Sequence, residues 1–491
     1  MATPPISHSK ASSVVQGGGS SNHPSPGGGA SQLPGKQVPS KTAKERQSLW
    51  GTRFGFYLAA VGSAFGLGNL WRFPYVTVEN GGGAFVLLYV VFAIVVGLPL
   101  LIGELMLGKL TRRSMIRATE RLSPKFVWFG RLSVFCCLLG LSYYAVISGW
   151  VLHFVMQFSV RHLLTGYFEV DQTMRILRDN GILQVALTSV HLLITLMIVL
   201  KGVQQGIEKW VGNTMPVFCL LLLILVTKAL SLATATDAMR FLLYPDFTQL
   251  KLSSALHALG HVLFSLSLGF GTMVTFGSYL NEETRIPEAG FRVTVIDTLV
   301  SIFAGLLIFP LLIGATFSTT GPELLFQTLP RLLLDIDSGF FFGMAFFVCL
   351  YMAALGASIG LLESLVANVM DVFKISRTRA TWVSGGAAFL FAILPALSTS
   401  VLHNVNYAGH GLLEILDGIL VNGLLPLVAL GLAFGLARYL KDARTADEFV
   451  NDDSIATHKL YSHWIFGVKW VVPTVIIGAF TLALIGVMLS R

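Results

Sequence analysis

The chain has 491 residues, of which 54% are apolar and only 12% charged, against roughly 25% charged in typical soluble proteins. That composition excludes a water-soluble particle of this size, because too little polar surface is available to wrap it. The net charge of +8 does not imply nucleic acid: with the N-terminus inside, most Lys and Arg fall in cytoplasmic stretches, the asymmetry that orients membrane proteins. Arg112, Arg113, Arg117, Arg121 and Lys125 lie in one such loop, for which contact with anionic lipid is a second reading.

In chain order, residues 1–45 are rich in Gly, Ser and Pro and are expected to form a disordered cytoplasmic tail. No cleavable signal is expected, since the first apolar run begins only near Phe54. Residues 46–491 read as one all-α transmembrane domain. Apolar runs long enough to cross ~30 Å of hydrocarbon recur near 54–75, 83–107, 127–160, 182–200, 207–230, 254–280, 290–316, 338–370, 379–398, 412–437 and 465–489. These are eleven helices: helices 1–5 over about 54–230, helices 6–10 over about 254–437, and helix 11 over about 465–489. Segment 319–337, with Pro322 and Pro330, suggests short external helices over an entrance, and 441–464, with Asp452 and Asp453, is the longest late loop. Cys136, Cys137, Cys219 and Cys349 all lie in apolar spans, which predicts buried packing and no disulfide framework.

Two spans carry breaks. Gly62, Gly66 and Gly68 crowd the middle of the first, and Ser265-Leu-Ser-Leu-Gly-Phe-Gly271 the middle of the sixth. Glycine costs about 1 kcal/mol in a helix interior, so both clusters predict unwinding, with close helix packing as the alternative. Unwound backbone at the bilayer centre leaves amides and carbonyls that lipid cannot satisfy. Half-helix N-termini suit an anionic group and free carbonyls suit a hard cation. Asn69, Ser265, Ser267 and Tyr144 add oxygens near the breaks. Among intramembrane ionisable residues, Asp297 is a ligand candidate, or else a helix-terminal acid. A structural partner is expected for Glu363 and an internal hydrogen bond for His261; Glu104 is a further case.

Gly62-Ser-Ala-Phe-Gly-Leu-Gly-Asn-Leu-Trp-Arg-Phe-Pro-Tyr75 and Glu79-Asn-Gly-Gly-Gly-Ala-Phe85 resemble the first-helix signature of the neurotransmitter:sodium symporters. So do Gly97-Leu-Pro-Leu, Tyr143-Tyr144 and Ser267-Leu-Gly-Phe-Gly271, in order along the chain. The eleven-helix count is similar to that of bacterial members. The resemblance implies five helices plus an inverted five, with one appended, and an inner-membrane symporter importing a neutral, apolar amino acid with sodium. By position it implies that the substrate carboxylate meets the Leu67 and Gly68 amides and the Tyr144 hydroxyl. The ammonium would meet carbonyls of Ala64, Phe264 and Ser265 and the Ser267 hydroxyl. A first sodium would take Ala64, Asn69, Ser265, Asp297 and the substrate carboxylate. Phe270, Gly140, Ala357 and Leu361 would line the side-chain pocket. Arg72 with Asp417 would form the outer gate, and Trp50, Tyr279 and Asp371 the inner one, whose family arginine is displaced here: Gln47 stands at its position and Arg46 one residue off.

Gly66 stands where monoamine carriers of this family have an acid, which implies a substrate that brings its own carboxylate. Asp297 stands where chloride-dependent members have Asn, so chloride is not expected. A second sodium would use carbonyls of Gly62, Phe65 and Ala353 plus two hydroxyls, but the Thr-Ser pair that supplies these reads Gly356-Ala357 here. Losing that ion is expected to loosen the contact between the first and eighth helices. Ser358, one residue on, is expected to face elsewhere. The alternatives are a proton-coupled carrier using Asp297 or His261, and a non-transporting amino-acid sensor. An enzyme is not expected: Gly103–Leu110 approaches a phosphate-binding loop but lacks Ser or Thr after Lys109.

Overall fold

The computed structural model describes residues 50–165, 169–313, 324–407, 410–440, 443–450 and 455–489. The chain divides into two units, Met1–Arg46 and Gln47–Arg491, and all described residues belong to the second. The tail at 1–45, Arg46, Gln47, Pro322, Asp452 and Asp453 lie outside the described residues. Nine described helices are long and apolar enough to cross a membrane. The first and sixth spans, each interrupted, bring the number to eleven.

The first span runs Arg53–Ala64, breaks, and resumes as a wide turn at Gly68–Arg72 that leads into Phe73–Glu79. Its start is doubly capped. The Thr52 hydroxyl accepts from the Gly55 amide at 2.8 Å, and the Glu208 carboxylate accepts from the Gly51 amide at 2.9 Å and the Thr52 hydroxyl at 2.7 Å. Side-chain oxygens satisfy amides that a helix start leaves without partners. The second span is Gly83–Thr111, the fourth Gly181–Leu200 and the fifth Val203–Leu230. The third, Val127–Thr165, and the eighth, Gly339–Phe373, are the long ones at 39 and 35 residues.

The sixth span runs Ser254–Ser265 and resumes at Thr272–Ser278. Between the halves Ser267 takes φ +54°, and Gly269 and Gly271 take +79° and +73°. Left-handed backbone is cheap for glycine and strained for serine, so the glycines carry the break and Ser267 is held by its contacts. The seventh span is Ile286–Leu312, the ninth Arg377–Ala396, the tenth Leu412–Tyr439 and the eleventh Lys459–Leu489. Segment 324–334 is helical, as expected for part of 319–337. A two-residue ladder pairs Asn406–Tyr407 with His410–Gly411, a small departure from the all-α expectation among the described residues.

The second span and the second half of the sixth are locked together by glycines. A Cβ on Gly108 would lie 2.0 Å from the Val274 carbonyl oxygen, and one on Gly277 2.5 Å from that of Leu105. Lys109 Nζ donates to the Glu282 and Thr284 carbonyls at 2.9 and 3.0 Å, and Arg112 to the Leu280 carbonyl. Three of the cysteines are buried as expected, but Cys219 is exposed, because it lies on the outward face of the fifth span beside Val217 and Leu220.

Candidate functional site

The two breaks face one another across a small cavity lined by Ser63, Ala64, Gly66, Gly68, Tyr144, Phe264, Ser265, Ser267, Phe270, Ala357 and Leu361. Most of the residues singled out from sequence as substrate contacts are therefore brought together by four spans. Leu67 is not among the lining residues, but its amide donates to the Tyr144 hydroxyl at 2.7 Å. That bond fixes the hydroxyl at the broken end of the first span. Gly68 reaches the cavity because a Cβ there would press on the Phe264 ring at 3.1 Å. Gly66 is tighter still: a Cβ would lie 2.6 Å from the Tyr144 hydroxyl oxygen and 3.0 Å from Ala357 Cβ. A side chain at this position would press on the Tyr144 hydroxyl and on Ala357, so the space is tight.

At one end of the cavity Ser265 reaches back to a polar cluster that does not itself line it. Ser265 Oγ donates to both Asp297 carboxylate oxygens at 2.8 Å and lies 3.1 Å from Asn69 Oδ1. Asn69 Nδ2 donates to Asp297 Oδ1 at 2.8 Å. Tyr89 reaches the second carboxylate oxygen at 3.4 Å and Ser301 at 3.1 Å. Asp297 is 1% exposed and lies mid-helix in the seventh span, so it is not a helix-terminal acid at an interface. A carboxylate, an amide oxygen and a hydroxyl converging in this way form a hard-oxygen set that suits a hard cation. The other end is apolar: Phe264 and Phe270 pack edge to face at 6.0 Å, and Ala357 and Leu361 close the wall. Gly140 stands behind Phe270, where a Cβ would meet the ring at 2.9 Å. No Asp, Glu, Lys, Arg or His lines the cavity among the described residues.

Two further groups of contacts involve the residues named for the gates. On one side Arg72 Nε donates to Asp417 Oδ2 at 3.3 Å, and the Tyr143 hydroxyl to Asp417 Oδ1 at 3.0 Å. On the other, the Trp50 amide donates to the Tyr279 carbonyl at 3.1 Å and its indole to the Phe276 carbonyl at 3.2 Å. The Tyr279 hydroxyl in turn donates to Glu363 at 2.8 Å, and Arg377 pairs with the same carboxylate. Asp371 is engaged by Arg113 at 2.9 Å and by the Ser114 amide and hydroxyl at 3.1 Å. Its partners among the described residues thus come from the connection after the second span and from Lys374 at 3.4 Å.

The three residues named for a second sodium sit where the first and eighth spans touch. A Cβ on Gly356 would lie 2.5 Å from the Gly62 carbonyl oxygen, and one on Gly360 2.1 Å from Ser63 Oγ. The contact is direct. Phe65 and Ala353 are buried beside it. Ser358 faces away, 2.9 Å from a His191 ring nitrogen.

Sequence reasoning missed Ser63, which lines the cavity and accepts at its carbonyl from Ser267 Oγ at 3.1 Å; its place in the glycine-rich break was the signal. It also missed the Glu208 cap, which only the folded contact reveals. The internal bond expected for His261 is absent: neither ring nitrogen has a hydrogen-bond partner among the described residues. The ring instead packs between Phe73 and Tyr89 at 5.5 and 5.0 Å.

Comparison with known proteins bears on this geometry. Residues 47–167 and 165–490 match the sodium:neurotransmitter symporter family. An uncharacterized sodium-dependent transporter of Bacillus subtilis is 34% identical over 91% of this chain and 99% of its own length. The sodium-dependent serotonin transporter of Drosophila melanogaster is 28% identical over 75% and 67%. The crystal structure of MhsT in complex with L-phenylalanine superposes with a TM-score of 0.83 at 33% identity, covering 89% of this chain and all of that one. Spans broken at corresponding places five helices apart, a cavity at the breaks and a match over nearly the whole chain agree. The chain belongs to the sodium:neurotransmitter symporter family, and is a multi-pass, sodium-dependent membrane transporter of a small molecule and not an enzyme.

Proposed function

We propose that this transporter imports a neutral, apolar amino acid together with sodium, by opening its cavity to one side of the membrane and then the other. The observation that carries the reading is a cavity walled by Phe264, Phe270, Ala357 and Leu361 and also by Ser265, whose hydroxyl reaches back to Asn69 and Asp297 behind the wall. Sodium and the substrate carboxylate share the polar end: Asn69, Ser265, Asp297 and the Ala64 carbonyl hold the ion, and the carboxylate completes its shell. A shared ligand couples the two, so that each raises the other's affinity. The substrate ammonium meets the carbonyls of Ala64, Phe264 and Ser265 and the Ser267 hydroxyl. Its carboxylate meets the Gly68 amide and the Tyr144 hydroxyl beside Leu67. A charged side chain would have no partner at the apolar end and is excluded on cost. The tight space at Gly66 agrees with a substrate that brings its own carboxylate.

Asp297 supplies a fixed negative charge beside the ion, and transport proceeds without chloride. The Gly62, Phe65 and Ala353 carbonyls do not hold a second sodium, and coupling is one ion per substrate: Gly356 and Ala357 offer no hydroxyls, and the seam at Gly356 supports this. Arg72–Asp417 is the outer gate. Trp50, Tyr279 and Asp371 belong to the inner one, with residues 46–491 as one transmembrane domain of the inner membrane and 1–45 a cytoplasmic tail.

The test is uptake of each of the twenty amino acids into proteoliposomes, with and without a sodium gradient and with chloride replaced. Sodium-driven uptake of leucine- or phenylalanine-like substrates, unaffected by chloride removal, is expected. Stronger competition by lysine or glutamate refutes the substrate class. Uptake driven by a proton gradient alone identifies a proton-coupled carrier, and binding without counterflow a sensor.

A further inference from the structure

We propose that Met115, the first residue of the short helix Met115–Leu122 after the second span, is a positioning residue for the substrate: it bears on Gly271 and so sets where Phe270 stands. The inference rests on the reading above that Phe270 walls the substrate side chain. Side chains from three other spans hold the stretch between the halves of the sixth. Glu104 of the second accepts from the Gly269 amide at 2.8 Å. Ser133 of the third donates to the Gly269 carbonyl at 2.7 Å, and Ser364 of the eighth to the Phe270 carbonyl at 3.3 Å. Gly271 is held by packing as well. With its φ of +73°, a Cβ there would lie 2.7 Å from Met115 Cβ and 2.9 Å from Met115 Cγ. Those atoms sit beside the Met115 backbone and cannot swing aside as the tip of the side chain could.

Met115 is itself fixed. It is fully buried, and its helix starts under two side chains of the eighth span. Asp371 accepts from the Ser114 amide and hydroxyl at 3.1 Å, and Asn368 Oδ1 accepts from the Ile116 amide at 3.0 Å. These bonds satisfy amides that a helix start leaves without partners. The third span seats on the same turn through Gly130, where a Cβ would lie 2.2 Å from Thr119 Oγ1 and 3.2 Å from the Met115 carbonyl oxygen. A close-packed interior transmits such contacts instead of absorbing them. The eighth span carries Ala357 and Leu361 of the cavity wall, and through Met115 and Gly271 it also fixes Phe270. The room left for a substrate side chain is therefore set by this strut.

The test compares wild type, Met115→Ala and Met115→Leu as purified full chains, and reads equilibrium binding of valine and phenylalanine at saturating sodium. Removing the side chain lets Phe270 settle toward the vacated space and widens the apolar end. Met115→Ala should therefore shift the affinity ratio toward phenylalanine by roughly 10-fold, the lower end of what one methylene in an apolar pocket is worth. Met115→Leu keeps the volume and should restore the wild-type ratio. A general loss of stability would lower both affinities together and leave the ratio alone. An unchanged ratio in folded Met115→Ala, or one shifted toward valine, overturns the proposal, as does a shift that Met115→Leu fails to restore. Hydrogen–deuterium exchange without substrate is the second readout. The 266–271 amides should exchange faster in Met115→Ala than in wild type, and equal exchange also overturns it. Should Met115→Ala not fold, Met115→Val opens a smaller space and carries both readouts in the same direction. A wild type that binds neither amino acid refutes the substrate reading, and the exchange comparison still decides whether Met115 positions Phe270.

Discussion

Replacing Gly356 with Ala tests the direct contact between the first and eighth spans. The added Cβ would fall 2.5 Å from the Gly62 carbonyl oxygen, where ordinary contact begins at 3.4 Å, so the two helices must part by the difference, 0.9 Å. The obstructing atom is backbone and cannot rotate aside. Overpacking of this kind costs about 1–3 kcal/mol, and the half-helix Arg53–Ala64, broken at its far end, is the piece able to move. If the strain is relieved by swinging that half-helix outward, the equilibrium shifts roughly 5- to 150-fold toward the form open at the Trp50 end. Hydrogen–deuterium exchange read by mass spectrometry should show this as faster exchange confined to residues 51–64. Gly386→Ala is the control, since nothing lies within 4 Å of a Cβ there. Equal exchange over 51–64 in wild type and Gly356→Ala, with both folded, would refute the reasoning. The same geometry argues against rebuilding a second sodium site by Gly356→Thr with Ala357→Ser, because the threonine Cβ would meet the same oxygen.

Asp297→Asn should lower sodium affinity at least ten-fold, by removing the one charge in the ligand cluster, and make part of the activity recoverable with chloride; equilibrium sodium binding measures it. Tyr144→Phe removes a hydroxyl held by the Leu67 amide and proposed to meet the substrate carboxylate. A hydrogen bond to a charged group is worth about 1.5–3 kcal/mol, so substrate affinity should fall roughly 10- to 150-fold with sodium affinity in the absence of substrate preserved. Asp417→Asn leaves Arg72, 2% exposed, without its carboxylate. Breaking a buried pair costs about 3–5 kcal/mol, which should favour opening on that side and raise labelling of a cysteine placed at Leu413.

The breaks were legible in sequence because glycine clusters recur in two apolar runs five spans apart, where one cluster alone would read equally as close helix packing. The broken residues fall together because each break must find partners for its own backbone. Ionisable residues were read less evenly. Asp297 stood out as a buried carboxylate, but its depth in the seventh span depended on a helix start at Ile286 instead of 290. His261 shows the limit: a buried imidazole predicts a partner, and here two aromatic rings stand in its place. The engagement of Asp371 by Arg113, of Gly51 by Glu208 and of Gly62 by Gly356 joins residues far apart in the chain. Each depends on which helix faces lie together, and the pattern of one helix does not encode that.

The interlocked glycines of the second and sixth spans bear on how force travels through the molecule. Gly108 and Gly277 seat each helix over the other's carbonyls, and Lys109 and Arg112 clamp the chain just beyond the sixth span. Such a joint resists both sliding and rolling, so the second span and Thr272–Ser278 turn as a single stiff member. The floor of the cavity at Phe270 is carried on the end of that member, and the rim that receives Trp50 is carried at Phe276 and Tyr279 on the same piece. In the transport cycle proposed above, a rotation that frees Trp50 would therefore tilt Phe270 with it, so the load that ejects the substrate and the load that opens the exit would be borne by one lever.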